Sequence, residues 1–151
     1  MLQHHASVDR SSPSLAPTSG PASPAQPPLI RQEIAELVRT DQMALARELA
    51  QAALQAYPGH EDILVIHALV CEMQHDWDEA EKSLRRLVEM QSPNVTEEAW
   101  RHWIRVLRCA GQSQQALSAA FAAVQQHPAS IILKNELEAL RMPQAANRAA
   151  A

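Results

Sequence analysis

Residues 94–128 read NVTEEAWRHWIRVLRCAGQSQQALSAAFAAVQQHP. Trp100, Trp103 and Leu107 fall three and four apart, Gly111-Gln112-Ser113 interrupts, and Ala116, Ala120 and Ala123 resume the spacing before Pro128. Apolar residues at this spacing share one side of an α-helix. Glycine ends a helix without strain because it reaches the left-handed region freely, and Ser113 is placed to cap the next helix. The stretch predicts two amphipathic helices joined by a tight break.

The same unit occurs again upstream. Pro58, Pro93 and Pro128 are evenly spaced, 35 residues from the first to the second and 35 from the second to the third. A period of this size is the mark of a helical solenoid. Between Pro58 and Pro93, Leu64, Ala68 and Cys71 form one stripe and Ala80, Leu84 and Leu87 another. Gln74-His75-Asp76 separates the two stripes, with Asp76 as the expected cap. An earlier unit carries Ile30, Ile34 and Leu37, then Ala46, Ala50 and Ala53. After Pro128 a single stripe of Leu133, Leu137 and Leu140 precedes Pro143 and an alanine-rich end.

The expected fold is therefore all-α: a right-handed helical-repeat solenoid of antiparallel helix pairs, seven helices in all. Its repeats run about 29–58, 59–93 and 94–128, with a cap helix at 130–142. Ala46, Ala80 and Ala116 stand early in each second helix. Paired helices cross 8–10 Å apart, and the closest point of the crossing needs a small side chain. The last helix covers the face a fourth unit would otherwise bury, as solenoid caps do. Residues 1–28 hold six of the ten prolines and almost no large apolar side chains, and are expected to form a disordered tail, as are residues 143–151.

Composition agrees with helices and excludes several functions. Only 3 of the 151 residues are glycine and 3% are aromatic, too few for a sandwich or barrel. The net charge of −4 argues against nucleic acid or an anionic membrane as partner. Cys71 and Cys109 form neither a disulfide framework nor a CxxC pair. No apolar run approaches the ~20 residues of a membrane span, and the first residues do not read as a secretory signal, so a cytoplasmic location is expected.

These units resemble the tetratricopeptide repeat family. Trp100, Leu107, Ala116 and Pro128 fill that family's Trp, Tyr, Ala and Pro slots. Leu64, Cys71, Ala80 and Leu84 fill the Trp, Tyr, Ala and Phe slots of the unit before, and Ile30, Leu37, Ala46 and Pro58 fit the first. Glu33 and His67 depart from the usual Leu, Ile34 and Ile104 from Gly, and Ala50 and Ala120 from the bulky residue. The third unit is displaced by two residues. The resemblance spans about 30–142.

No phosphate loop, metalloprotease motif, nucleophile elbow or Cys/His ligand cluster is present. No catalytic residue, cofactor or metal site is expected. His4-His5 is too short for a metal tract, and His60 with His67 lacks a third ligand, so both are expected at or near the surface. Asp76, Asp78 and Glu79 suit the positive end of a helix dipole. Cys71 is expected to be packed and inert.

The resemblance implies a concave groove lined by the first helix of each pair. Carried onto this chain it selects Arg31, Ala35, Val38 and Arg39, then Val65, Leu69, Glu72 and Met73, then Cys109 with Arg101, Arg105 and Arg108. The last three, at i, i+4 and i+7, share one helix face. Arginine forks suit carboxylates, so the implied partner is a protein or peptide segment with apolar anchors and an acidic flank. Two bland readings compete. Glu97 and Arg101 are spaced to pair along one helix, and a charged stripe is commonly a solvated face. For Val65, Leu69 and Met73 the competing reading is packing, for example beneath the N-terminal tail. Helix 61–73 is apolar nearly all round, which calls for burial on more than one side, and a partner or self-association could also supply it. Some relatives grip heat-shock-protein tails through Lys and Asn side chains. Here Ala35, Ile66, Glu98 and His102 occupy those slots, so that clamp is missing. The expected function is a non-catalytic interaction module. A cytoplasmic chaperone for type III translocator or needle-like proteins and a self-associating scaffold are the alternatives.

Overall fold

The computed structural model describes residues 25–149, with side chains through residue 142. Seven helices follow one another: α1 (Pro27–Arg39), α2 (Met43–Ala56), α3 (Glu61–Met73), α4 (Trp77–Gln91), α5 (Glu97–Cys109), α6 (Ser113–Gln126) and α7 (Ile131–Ala149). Each packs antiparallel on the next, which places α1, α3, α5 and α7 in an inner layer and α2, α4 and α6 outside it. The architecture is the expected helical-repeat solenoid. Among the described residues no helix is long and apolar enough to cross a membrane.

The three turns inside the pairs close in one way. Asp41, His75 and Gly111 each take a positive φ, of 60°, 58° and 74°. The amide after each one returns to the carbonyl five residues earlier: Gln42 to Leu37 at 2.8 Å, Asp76 to Cys71 at 2.9 Å and Gln112 to Leu107 at 2.9 Å. This closure satisfies carbonyls the helix end would otherwise leave bare. Only Gly111 takes the left-handed turn without steric cost. Asp76 caps α4 by accepting from the Glu79 amide at 3.3 Å. Ser113 does not act as a cap. It is the first residue of α6, and the cap position falls to Gln112, which offers no side-chain bond.

α1 and α3 begin 34 residues apart, as do α5 and α7, whereas α3 and α5 begin 36 apart. One of the two extra residues lengthens α4 and the other lengthens the link from α4 to α5. There the Gln91 side-chain oxygen accepts from the Thr96 amide and hydroxyl at 3.0 and 3.1 Å, and Thr96 in turn caps α5 through the Ala99 amide.

Apolar stripes build two connected cores. Ile30, Ile34, Ala46, Ala50 and Ala53 join Ile63, Ile66 and Val70 in one. Leu64, Ala68 and Cys71 join Ala80, Leu84, Trp100, Leu107, Ala116 and Leu133 in the other. α3 thus faces both cores at once, and most of its apolar surface is buried inside the chain, while Leu69 and Met73 stay 37% and 55% exposed. Ala46, Ala80 and Ala116 are wholly buried, as the close crossings require. On α7 the positions 34 residues after Trp100, Ile104 and Leu107 are Lys134, Glu138 and Arg141, all exposed. Polar side chains therefore stand at the positions where an eighth helix would dock.

Both ends differ from expectation. The first helix starts at Pro27, because proline's fixed φ and missing N–H suit a first turn. The last runs through Pro143 to Ala149 instead of stopping at 142. The expected tail over residues 1–24 and the last two residues lie outside the described range.

His67 also departs from expectation: it is 1% exposed, not near the surface. Its Nδ1 lies 2.7 Å from the Ser83 hydroxyl on α4, so a polar pair fills a core position. Burial, reinforced by the Arg47 guanidinium, holds its imidazole below the usual 6.5. Burial likewise pushes the Cys71 thiol up to about 11, which leaves it protonated and inert. The unfolded chain therefore takes up a proton at His67 that the folded chain refuses. This share of stability is present above pH 6.5 and is lost as pH falls from there through the lowered folded value. His67→Leu removes it. Urea unfolding from pH 8 to 5 is expected to show a shallower acid loss for the variant than for wild type.

Candidate functional site

The inner layer carries a trough. One stretch, about 480 Å³, is lined by Val65, Leu69, Arg101, Arg105, Arg108 and Glu136 among others. A second, about 360 Å³, is lined by Arg31, Glu61, Asp62 and Thr96. Val65, Glu98 and His102 line both, so the two are continuous.

The trough is polarised by the helices that build it. The inner helices run parallel, so their N-termini gather at one end. Glu61 and Asp62 open α3, and Glu97 and Glu98 open α5, where carboxylates complement the helix dipole. The arginines of α5 lie further toward the other end. Between them runs an apolar strip: Val65 is half-buried against the core and Leu69 is 37% exposed.

Several of the expected arginines are already engaged. Arg105 donates to Glu72 of α3 at 2.8 Å, and the other oxygen of Glu72 meets His102. Arg108 donates to Glu136 of α7 at 2.8 Å. These pairs tie α3, α5 and α7 together across the trough floor. Arg101 makes no ion pair among the described residues, and the expected pairing with Glu97 does not form. Arg31 lies 4.0 Å from Asp62 at the acidic end. Arg39 does not join the trough lining; it grips Glu36 on its own helix. Met73 is 55% exposed at the end of α3, beyond the lining.

Glu72 is the residue whose importance the sequence hid. Burial raises its carboxyl's affinity for a proton, but the hydrogen bond and charge of His102 and the charge of Arg105 outweigh it, and the pKa falls below 4.5. Its partners lie 30 and 33 residues away on another helix, so no local spacing signals them. The repeat register, which aligns residues of successive inner helices, is the one cue that placed Glu72 in the groove. No group of three metal-binding side chains occurs among the described residues.

No protein-family model matches this chain, and no curated protein does. Solved structures match it in shape. The first TPR of Spaghetti (RPAP3), bound to an HSP90 peptide of sequence SRMEEVD, has a TM-score of 0.65 at 12% identity, over 79% of this chain and 93% of that one. The Sgt2 TPR domain from Aspergillus fumigatus has a TM-score of 0.64 at 18% identity, over 83% of each chain. At such identities the likeness establishes the fold: this chain is built as a tetratricopeptide-repeat solenoid.

In Glu72→Gln one acceptor oxygen becomes an amide nitrogen, whose N–H meets a donor of α5, His102 or Arg105, and the negative charge is lost. Glu72→Gln is expected to cost about 1–3 kcal/mol, whereas Arg101→Gln stays within about 0.5 kcal/mol. Because the Glu72 pKa is depressed, its share of stability is present above pH 4.5 and disappears as pH falls below it. Urea midpoints at pH 7 and pH 3.5 check both statements, with the Glu72→Gln deficit shrinking at the lower pH.

Proposed function

We propose that this chain is a non-catalytic interaction module that holds a protein or peptide segment in its inner trough. The observation that carries this reading is Arg101, a guanidinium without an ion-pair partner among the described residues, beside the half-exposed Leu69 on one continuous trough wall. A segment with an apolar anchor on the Val65–Leu69 strip and a carboxylate near Arg101 satisfies both. An acidic residue one turn further on competes with Glu72 for Arg105, so the ligand's charge exchanges for an internal one. The acidic N-terminal end, with Glu61, Asp62 and Glu98, favours a basic or neutral residue there and gives the ligand a direction.

The RPAP3 domain shares the fold and holds an acidic peptide, which supports the class of ligand. The heat-shock-tail clamp is a different matter. Ala35 has no polar group to offer, and Ile66 is buried in the core, so two of its slots present nothing to a peptide. The trough therefore selects apolar-acidic segments by its own residues. A chaperone for an exported, aggregation-prone protein is a special case of this reading, in which the segment belongs to that protein's apolar region.

Random peptides displayed on phage and selected on the full chain test the proposal. Enriched sequences are expected to pair an aliphatic or aromatic residue with a nearby Asp or Glu. Titration of those peptides is expected to weaken about tenfold or more with Arg101→Glu or Leu69→Asp, to weaken with added salt, and to ignore the outer-face change Arg86→Glu. Enrichment without dependence on Arg101 and Leu69 overturns it.

A further inference from the structure

The outer helices are not alike. α2 carries Arg47 and Glu48, and α4 is densely charged, whereas α6 reads SQQALSAAFAAVQQ without one charged residue. Beside it lies a hollow of about 430 Å³, lined by Trp100, Trp103, Gln115, Ser118, Ala119 and Ala122. Its origin lies in the register. Trp103 and Ala119 stand 36 residues after His67 and Ser83. In the second unit that pair closes the core position with a hydrogen bond. In the third, the indole of Trp103 turns to Glu81 of α4, donating at 3.1 Å, and Ala119 is too small to fill the space that remains.

On the other flank of the same helix stands a knob. Phe121 is 50% exposed, and with Leu117 it lines a shallow recess next to Arg141. Ser118 borders both the hollow and the recess. At about 3.6 residues per turn, Gln115, Ala119 and Ala122 fall to one side of Ser118, and Leu117 and Phe121 to the other. Helical side chains lean toward the N-terminus, so the Phe121 ring comes back to the level of Ser118 and the hollow.

A knob and a hole at one height on the two flanks of one ridge meet under a two-fold axis parallel to that ridge. Such an axis sets left flank against right flank in both directions at once. We propose that this chain self-associates through α6, two copies lying parallel and side by side, with Phe121 of each copy seated in the Trp103 hollow of the other. In an isologous contact like faces like, so an uncharged helix is what such pairing requires, and α2 and α4 do not qualify. The Ser118, Gln114 and Gln125 positions lie along the ridge and face their own copies. A single helix face about 21 Å long is at the small end of protein interfaces, so the dimer is weak and concentration-dependent. It leaves the inner trough open, and it stands whether or not the trough binds peptide.

Sedimentation velocity on the full chain, from micromolar to millimolar concentration, tests the proposal. A reversible monomer–dimer equilibrium is expected, with Phe121→Glu and Ala122→Arg each raising the dissociation constant at least tenfold while far-ultraviolet circular dichroism stays helical. In a Cys109→Ser background, Gln114→Cys and Gln125→Cys are each expected to form self-linked dimers with copper phenanthroline as oxidant. Antiparallel pairing would link at most one of these positions to itself. A monomer at every concentration overturns the proposal. So does a dimer indifferent to Phe121→Glu, and so does a dimer in which either engineered cysteine fails to link.

Discussion

Everything in this structure depends on a close helix crossing repeated three times. Ala46, Ala80 and Ala116 are wholly buried where the second helix of each pair meets the first. A methyl group there lets the backbones approach, so the larger residues on either side interdigitate. A bulkier side chain at the same point would force the pair apart at a typical cost of 1–3 kcal/mol. The inner helices owe their parallel alignment to these crossings. That alignment gathers the helix N-termini at one end of the trough and sets the row of arginines behind them.

The core was legible in the sequence because burial here is periodic. Residues such as Ile34, Leu64, Ala80, Leu107 and Leu133 belong to stripes that a helix must bury on one side, and all of them are buried. The trough was legible only in part. The repeat register placed Leu69, Arg101, Arg105 and Arg108 along it, but their chemistry is set by partners on other helices. Glu72 takes Arg105 and Glu136 takes Arg108, and neither pairing leaves a mark in local spacing. Arg39 is drawn out of the groove for a related reason: an acid three residues before it on its own helix captures its guanidinium. The lack of charge along α6 shows in the sequence, but the hollow beside it does not, because it depends on the space that Ala119 fails to fill.

Polar groups inside the stack show how the repeat tolerates departures from its pattern. His67 occupies a slot that suits leucine, and Ser83 across the pair answers its ring nitrogen. Glu81 is 3% exposed yet receives the Trp103 indole and the Arg85 guanidinium. Buried polar groups are tolerable only when paired. The Ser83 and Trp103 partners come from neighbouring helices, so each departure also fixes the register between them.

Binding on the inner layer is the point on which the functional reading turns. Photo-crosslinking with p-benzoylphenylalanine at position 69 or at position 86, in the organism that makes this chain, tests it most directly. Position 69 on the inner wall is expected to capture one recurrent partner, Arg101→Glu to abolish the adduct, and position 86 on the outside to miss that partner. Capture of the same partner from position 86 with none from position 69 would contradict binding on the inner layer.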